Sequence, residues 1–403
     1  MVPRILATLW RGAEMKILII PANPGHVFLA RGYQVAKHLA EHGDQVHFLT
    51  WDPYPRDISS IKKNLSSSLK HLEYGADGVM VHKVPRLPFF FPPVNGCMFR
   101  KLVSQISERE GLDVIISATF LNEVEPPFDL PLVYDLWDHW EAYYDIFAGR
   151  LETFGVKYIL NLRKSIHTQI KHAAAITAVS NVLVDYAKRI NPDVPVYKIP
   201  NGVDTLFLDT PRATLRNEFG EYSMVYVGSF GGWSNLLKLI QATSLLTRIC
   251  PAIKLVLVGE GPEIPGAKEL VKSLRLTENV VFLGLVPREK VPGIINGCEI
   301  ALCPRQKNLW GDSSFPIKVI EYTALGKKIV SSNVEEVTSL GFPNITLYDD
   351  SKGVEELANG IMTAFNTDID QNETRKLAYR YTWKDMAQQF HSILQKTITQ
   401  RKG

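Results

Sequence analysis

Cysteine is scarce. Cys97, Cys250, Cys298 and Cys303 are the four in a chain of 403 residues. None stands at paired metal spacing or close to a histidine, which argues against a disulfide framework or a cysteine metal site and leads to the expectation of buried thiols in a reduced, cytoplasmic setting. Long apolar runs are missing too, and no segment approaches the length needed to span a bilayer. Charge of one sign is absent: 45 Lys and Arg against 42 Asp and Glu leave a formal +3, too balanced for wholesale nucleic-acid binding. The first fourteen residues carry a short apolar patch broken by Arg4 and Arg11, too irregular for a signal peptide. They read as an extension that folding does not need, ahead of a first strand opening at Met15-Lys16.

What is present is a long alternation of strands and helices. With 45% hydrophobic and 22% charged residues the composition is that of a globular chain, and its length favours two domains over one core. Ile17 to Ile20, Val46 to Thr50, Val114 to Ser117 and Leu132 to Tyr134 are short apolar runs of the buried parallel kind, separated by helical stretches such as Leu29 to Glu41 and Phe99 to Glu110. Met224 to Val227, Lys254 to Val258, Val280 to Leu283, Ile300 to Leu302 and Lys328 to Val330 repeat the pattern. The fold class expected is α/β, with two Rossmann-like doubly wound domains facing a cleft: 15–199 and 200–382, joined near Pro200-Asn201-Gly202. A last amphipathic helix, 383–400, is placed to pack back on the first domain.

Residues 308 to 331, NLWGDSSFPIKVIEYTALGKKIVS, concentrate the chemistry. A strand precedes them, a polar loop opens them, and Pro316 stands where a helix begins, so free backbone donors and the helix dipole favour an anion such as phosphate. Lys318 and Glu321 fall three apart on one helix face. The first can neutralise phosphate and the second can accept from hydroxyls, a combination that suits a sugar nucleotide.

These residues, with MKILIIPANPGHVFLARGYQVAKHLAEHGDQVHFLT at the start, ITAVSNVLVDYAKRI and KIPNGVDTLF at the middle, and KLVLVGEGPE, NVVFLGLVPREKVPGIINGCEIALCP and PIKVIEYTALGKKIV in order behind, resemble the GT-B retaining glycosyltransferases of family four, also called group 1. The resemblance runs from Met15 to about Trp383. It implies transfer of a sugar from a nucleoside diphosphate sugar to an acceptor hydroxyl in glycan, glycolipid or polysaccharide synthesis, without metal or other cofactor. Glu321 matches the carboxylate that holds the donor ribose. Gly25, Gly228, Ser229, Gly259, Gly261, Val286 and Pro287 match glycine loops and a base-cradling loop around the donor, and Asp312, Ser313, Ser314, Phe315, Pro316 and Ile317 the loop and helix start beside it.

Three departures accompany the match. Ser313 stands where the first glutamate of the E-x(7)-E pattern belongs, Ser229 and Ser234 replace a basic pair, and the histidine of the first domain has no counterpart in IISATFLN. Lys318 is the expected replacement for the missing cations, since a subgroup with the phrase P-x-K-x-x-E-Y also lacks that glutamate. Asp138 and His139, in VYDLWDHWEAYYD, fall on a loop after a strand and are candidates for orienting the acceptor, against a helix-cap alternative of nearly equal standing. The triple phenylalanine in RLPFFFPPVNG either meets lipid or a lipid-linked acceptor, bringing the protein to a membrane surface, or plugs the first domain. The departures also leave open a non-catalytic or partner-dependent sugar-nucleotide-binding protein.

Overall fold

The computed structural model describes residues 14–22, 31–51, 72–74, 77–84, 92–119, 130–147, 149, 155, 161–211 and 218–402. Gly25, residues 1–13 and the phenylalanine triplet lie outside them.

Two sheets carry the chain. The first holds β1 (Lys16–Ile20), β2 (Gln45–Trp51), β3 (Leu72–Tyr74), β4 (Met80–Val84), β5 (Val114–Ser117), β6 (Leu132–Leu136), β7 (Ala175–Ala178) and β8 (Val196–Lys198), in the order β3-β4-β2-β1-β5-β6-β7-β8. The second holds β9 (Ser223–Val227), β10 (Lys254–Val258), β11 (Val280–Gly284), β12 (Ile300–Cys303), β13 (Lys328–Ser332) and β14 (Ile345–Tyr348), ordered β11-β10-β9-β12-β13-β14. Every pairing is parallel except β3 with β4. The reason is visible in the strands: Ile17 to Ile20, Val114 to Ser117 and Leu255 to Val258 are buried without interruption, as sheets covered by helices on both faces require. Both sheets reverse order beside their first strand, β1 and β9, and the carboxyl ends next to such a reversal are where open α/β sheets bind ligands.

Contacts between the halves set the cleft. The buried Glu336 carboxylate accepts from the Asn181 amide at 2.7 Å and pairs with Lys198 at 2.7 Å, while Asn201 Nδ2 donates to the Phe315 carbonyl at 2.9 Å. Near the cleft mouth Phe147 meets Trp233 and Trp310 edge-on at 5.8 and 5.2 Å. The chain crosses between the sheets twice at one place, where Val203 bridges to Thr382 and Gly202 lies so close to Trp383 that a β-carbon would come within 2.6 Å of its ring. From there the helix Trp383–Lys402 runs back along the helix Arg31–His42, burying Met386, Phe390, Ile393 and Leu394 against the Tyr33, Ala36 and Leu39 cluster.

One expectation changes. The polar stretch ahead of Pro316 is not an open loop: Leu309–Ser313 forms a short helix, capped by Asn308, whose side-chain oxygen accepts from the Gly311 amide at 2.8 Å. Pro316 is then the N-cap of the helix Ile317–Ala324 and not its first turn.

Candidate active site

A cleft of about 460 Å³ opens between the carboxyl ends of the two sheets, with Pro21 and Ala22 after β1, Ala118 after β5, Val227 and Gly228 at β9, and Arg305 after β12 on its walls. Its second-sheet side is cationic. Lys318, in the first turn of its helix, stands with Nζ 4.3 Å from the centre of the Tyr226 ring. Among the described residues no carboxylate or carbonyl meets that ammonium within hydrogen-bond distance. Burial lowers its pKa to about 8. Gly228 makes the position possible: at φ +153°, a β-carbon there would come 2.7 Å from Nζ.

Arg305 lies 4.4 Å from the Trp310 ring and gives one Nη2 hydrogen bond, to Ser314 Oγ at 3.0 Å. Arg288 Nη2 is 3.3 Å from Glu321 Oε1 and 3.5 Å from Asp204 Oδ2. Burial raises the Glu321 pKa, opposed by Arg288 and Lys318. Two further N–H groups on these walls, Nε of Arg288 and Nε of Arg305, are buried without an acceptor. Buried donors are ordinarily satisfied. Their convergence with a free ammonium describes a place built for an anion with several oxygens.

The first-sheet side is wired differently. Arg31 is 4% exposed and fully engaged: Nε and Nη2 grip Asp135 at 2.9 and 3.0 Å, and the carbonyls of Pro200 and Ile199 each accept at 2.9 Å. Thr177 Oγ1 adds a hydrogen bond to Asp135 at 2.7 Å, and the Phe390 ring lies 5.2 Å from the guanidinium. Asp138 reaches the cleft with one oxygen on the His139 amide at 3.2 Å, and burial pushes its pKa up to about 7 against the pull of Arg305, the His139 amide and the Trp310 indole.

Of the residues singled out in the sequence, Gly228, Ser314, Phe315, Pro316, Ile317, Lys318, Glu321 and Asp138 meet at this cleft. Others do not line it. His139 is the cap of the helix Trp140–Ile146: its Nδ1 accepts from the Ala142 amide at 3.3 Å and its ring is 4.6 Å from Tyr186. Gly259 and Gly261 serve a close approach of backbone to backbone, because a β-carbon at either would collide with the carbonyl of Gly228 or Phe230. Asp312 pairs with Lys307 at 2.8 Å, Ser313 turns its hydroxyl to the Trp310 carbonyl at 2.9 Å, Ser229 and Pro287 are exposed, and Val286 packs on the core. Arg288, Arg305, Trp310 and Arg31 were not anticipated. A signal existed for two of them: Pro287-Arg288 and Pro304-Arg305 each follow the end of a strand, where a proline stops pairing and the next side chain faces the cleft.

Known proteins share the family and the fold of this chain. The glycosyltransferase family 4 model matches residues 32–206 and the glycosyl transferases group 1 model matches residues 211–382. The chain belongs to the group 1, family-four glycosyltransferases. This glycosyltransferase is 22% identical over 326 residues to N-acetyl-alpha-D-glucosaminyl L-malate synthase of Bacillus anthracis, covering 79% of this chain and 78% of that one. A teichuronic acid biosynthesis glycosyltransferase assigned as putative, TuaH of Bacillus subtilis, is 25% identical across 54% of each chain. Among solved structures, sucrose-phosphate synthase from Thermosynechococcus elongatus superposes with a TM-score of 0.74 at 16% identity, covering 96% of this chain and all of that one. HepE of Anabaena, in complex with UDP and glucose, superposes with a TM-score of 0.66 at 17% identity over 95% of this chain and 100% of that chain. Both share the GT-B fold, two parallel-sheet domains across a cleft. Among the described residues no helix is long and apolar enough to cross a membrane.

Proposed function

We propose that this glycosyltransferase moves a sugar from a nucleoside diphosphate sugar to an acceptor hydroxyl, with retention at the anomeric carbon, in the synthesis of a glycan, glycolipid or polysaccharide. The observation that carries the reading is the set of N–H groups on one cleft wall that no protein acceptor meets, the Lys318 ammonium and the Nε groups of Arg305 and Arg288. Diphosphate oxygens are the acceptors that satisfy them, and the same cations stabilise the charge that grows on the diphosphate as the sugar leaves. Glu321, beside Lys318, accepts from the ribose hydroxyls once Arg288 shifts toward phosphate. The uridine diphosphate held by HepE supports a donor of this class.

No protein nucleophile is required in this scheme: the leaving diphosphate takes the acceptor's proton while attack and departure share one face of the sugar. Asp138, on the opposite wall with its pKa raised by burial, receives or gives a hydrogen bond to the acceptor hydroxyl or the donor sugar. His139 acts on it through its backbone amide, which donates to the Asp138 carboxylate, while its ring caps the following helix. The three cations also supply the charge that Ser229 and Ser234 lack, which favours catalysis over a purely binding role.

Glu321→Ala is the direct test. A lost charged hydrogen bond costs about 1.5 to 3 kcal/mol, so nucleoside diphosphate affinity and transfer rate should fall roughly tenfold to a hundredfold. Unchanged affinity by calorimetry removes Glu321 from the ribose. The anomeric configuration of the product, read by NMR, decides retention, and a chain that binds donor yet yields no product with any acceptor hydroxyl is a binding protein.

A further inference from the structure

The returning helix Trp383–Lys402 brings His391 to His42 and Asp44, none of which lines the cleft. His391 Nε2 is 3.4 Å and His42 Nδ1 is 3.9 Å from the same oxygen, Asp44 Oδ2, and the two rings are 4.1 Å apart. One ligand atom from each residue can be chosen so that all lie within 4.8 Å of one another. The Asp44 side chain is 2% exposed and that of His391 9%. Asp44 Oδ1 accepts from the Met15 amide at 3.1 Å, yet Oδ2, the oxygen aimed between the imidazoles, accepts no hydrogen bond.

A buried carboxylate oxygen without a donor is costly. Charge-assisted hydrogen bonds to imidazole would draw N and O to about 2.7 to 2.9 Å. Tetrahedral zinc, with bonds of about 2.0 to 2.1 Å, places its ligand atoms about 3.3 to 3.4 Å apart. The observed 3.4 Å matches that edge, and a small side-chain rotation closes 3.9 Å. We propose that His42, Asp44 and His391 bind a divalent transition-metal ion of the zinc class, with water as fourth ligand, fastening the C-terminal helix to the helix Arg31–His42. Two imidazoles and one carboxylate select such an ion over magnesium or calcium, which prefer oxygen. The consequence reaches the cleft through the neighbouring Phe390, whose ring backs Arg31.

The full chain, stripped with a chelator, is titrated at neutral pH with Zn²⁺ against a chromophoric competitor, and separately with Co²⁺ followed by visible absorption. Expected are one equivalent bound, the intense bands of four-coordinate Co²⁺, a raised melting temperature, and slower amide exchange over residues 383–402. His391→Gln and Asp44→Asn should each lose affinity by more than about a hundredfold, beyond the loss that follows removal of an outer-shell partner. Asp44→Asn keeps an acceptor for the Met15 amide, so an unchanged circular dichroism spectrum in that variant separates loss of a ligand from misfolding. The proposal is overturned if the wild type binds no ion, or if both variants bind as tightly as the wild type, which would place the ion on other histidines and leave His391 and Asp44 as a simple ion pair.

Discussion

Arg31 and Lys318 are cations on opposite walls of one cleft, and they are held in opposite ways. Arg31 gives its hydrogen bonds to Asp135 and to the carbonyls of Ile199 and Pro200, at the place where the chain leaves the first sheet. Lys318 has an aromatic face, a glycine cleared away beneath it, and a depressed pKa. A buried charge whose partners all come from the protein shapes the protein; one left without partners beside other unsatisfied donors is arranged for something that arrives. Sequence position does not distinguish them, since each lies near the start of a helix.

Breaking Arg31 should have the largest effect. Arg31→Ala leaves the Asp135 carboxylate buried without its partner, which costs about 3 to 5 kcal/mol and should shift the urea midpoint sharply. A midpoint within error of wild type would make Arg31 a ligand residue like Lys318. Lys318→Ala is the converse: stability at neutral pH is kept or raised, because a buried unpartnered ammonium is removed, while nucleoside diphosphate affinity drops by about 1.5 to 3 kcal/mol, with nucleoside affinity almost unchanged. Calorimetry of both ligands decides, and equal losses would mean a packing defect.

Gly228→Ala sharpens the contrast without touching a charge. The added methyl, 2.7 Å from Nζ and at a strained φ, should displace Lys318 and reduce diphosphate affinity by up to about tenfold. In the double variant with Lys318→Ala that effect should largely vanish. The mildest probe is pH. Because the ammonium form binds the diphosphate, the contribution of Lys318 is full well below its pKa of about 8 and declines as pH rises through it. In folding the sign is reversed: the folded pKa lies below the unfolded value, so ionised Lys318 costs stability below pH 8 and the cost fades toward higher pH. Lys318→Arg, always charged, should flatten the binding profile across this range; a slope that persists in that variant belongs to another group.

Much of the fold was legible because its strands are continuous apolar runs. Val114 to Ser117 and Lys254 to Val258 lie where the pattern put them. β7 and β14 were passed over: Ala175–Ala178 is short and small, and Ile345–Tyr348 is an edge strand with little buried surface, so neither carries the full signal. At the site, Lys318 and Glu321 were readable from helical spacing, since three residues along a helix share a face. His139 was misplaced toward the cleft because a cap and a ligand draw on the same residue types. Gly259 and Gly261 were read toward the nucleotide because a glycine signals close approach without naming what approaches.

The sequence by itself determined the two-sheet plan, the family and the helix that carries Lys318 and Glu321, because periodicity and short motifs are local properties of a chain. Tertiary structure alone decided which cations converge and which are already satisfied. Arg31 meets Asp135 across 104 residues, and Arg288 meets Glu321 across 33. His391 reaches Asp44 only because the last helix folds back onto the first. Whether a charge is paired depends on what stands within a few ångströms of it in space, and no spacing along the chain records that.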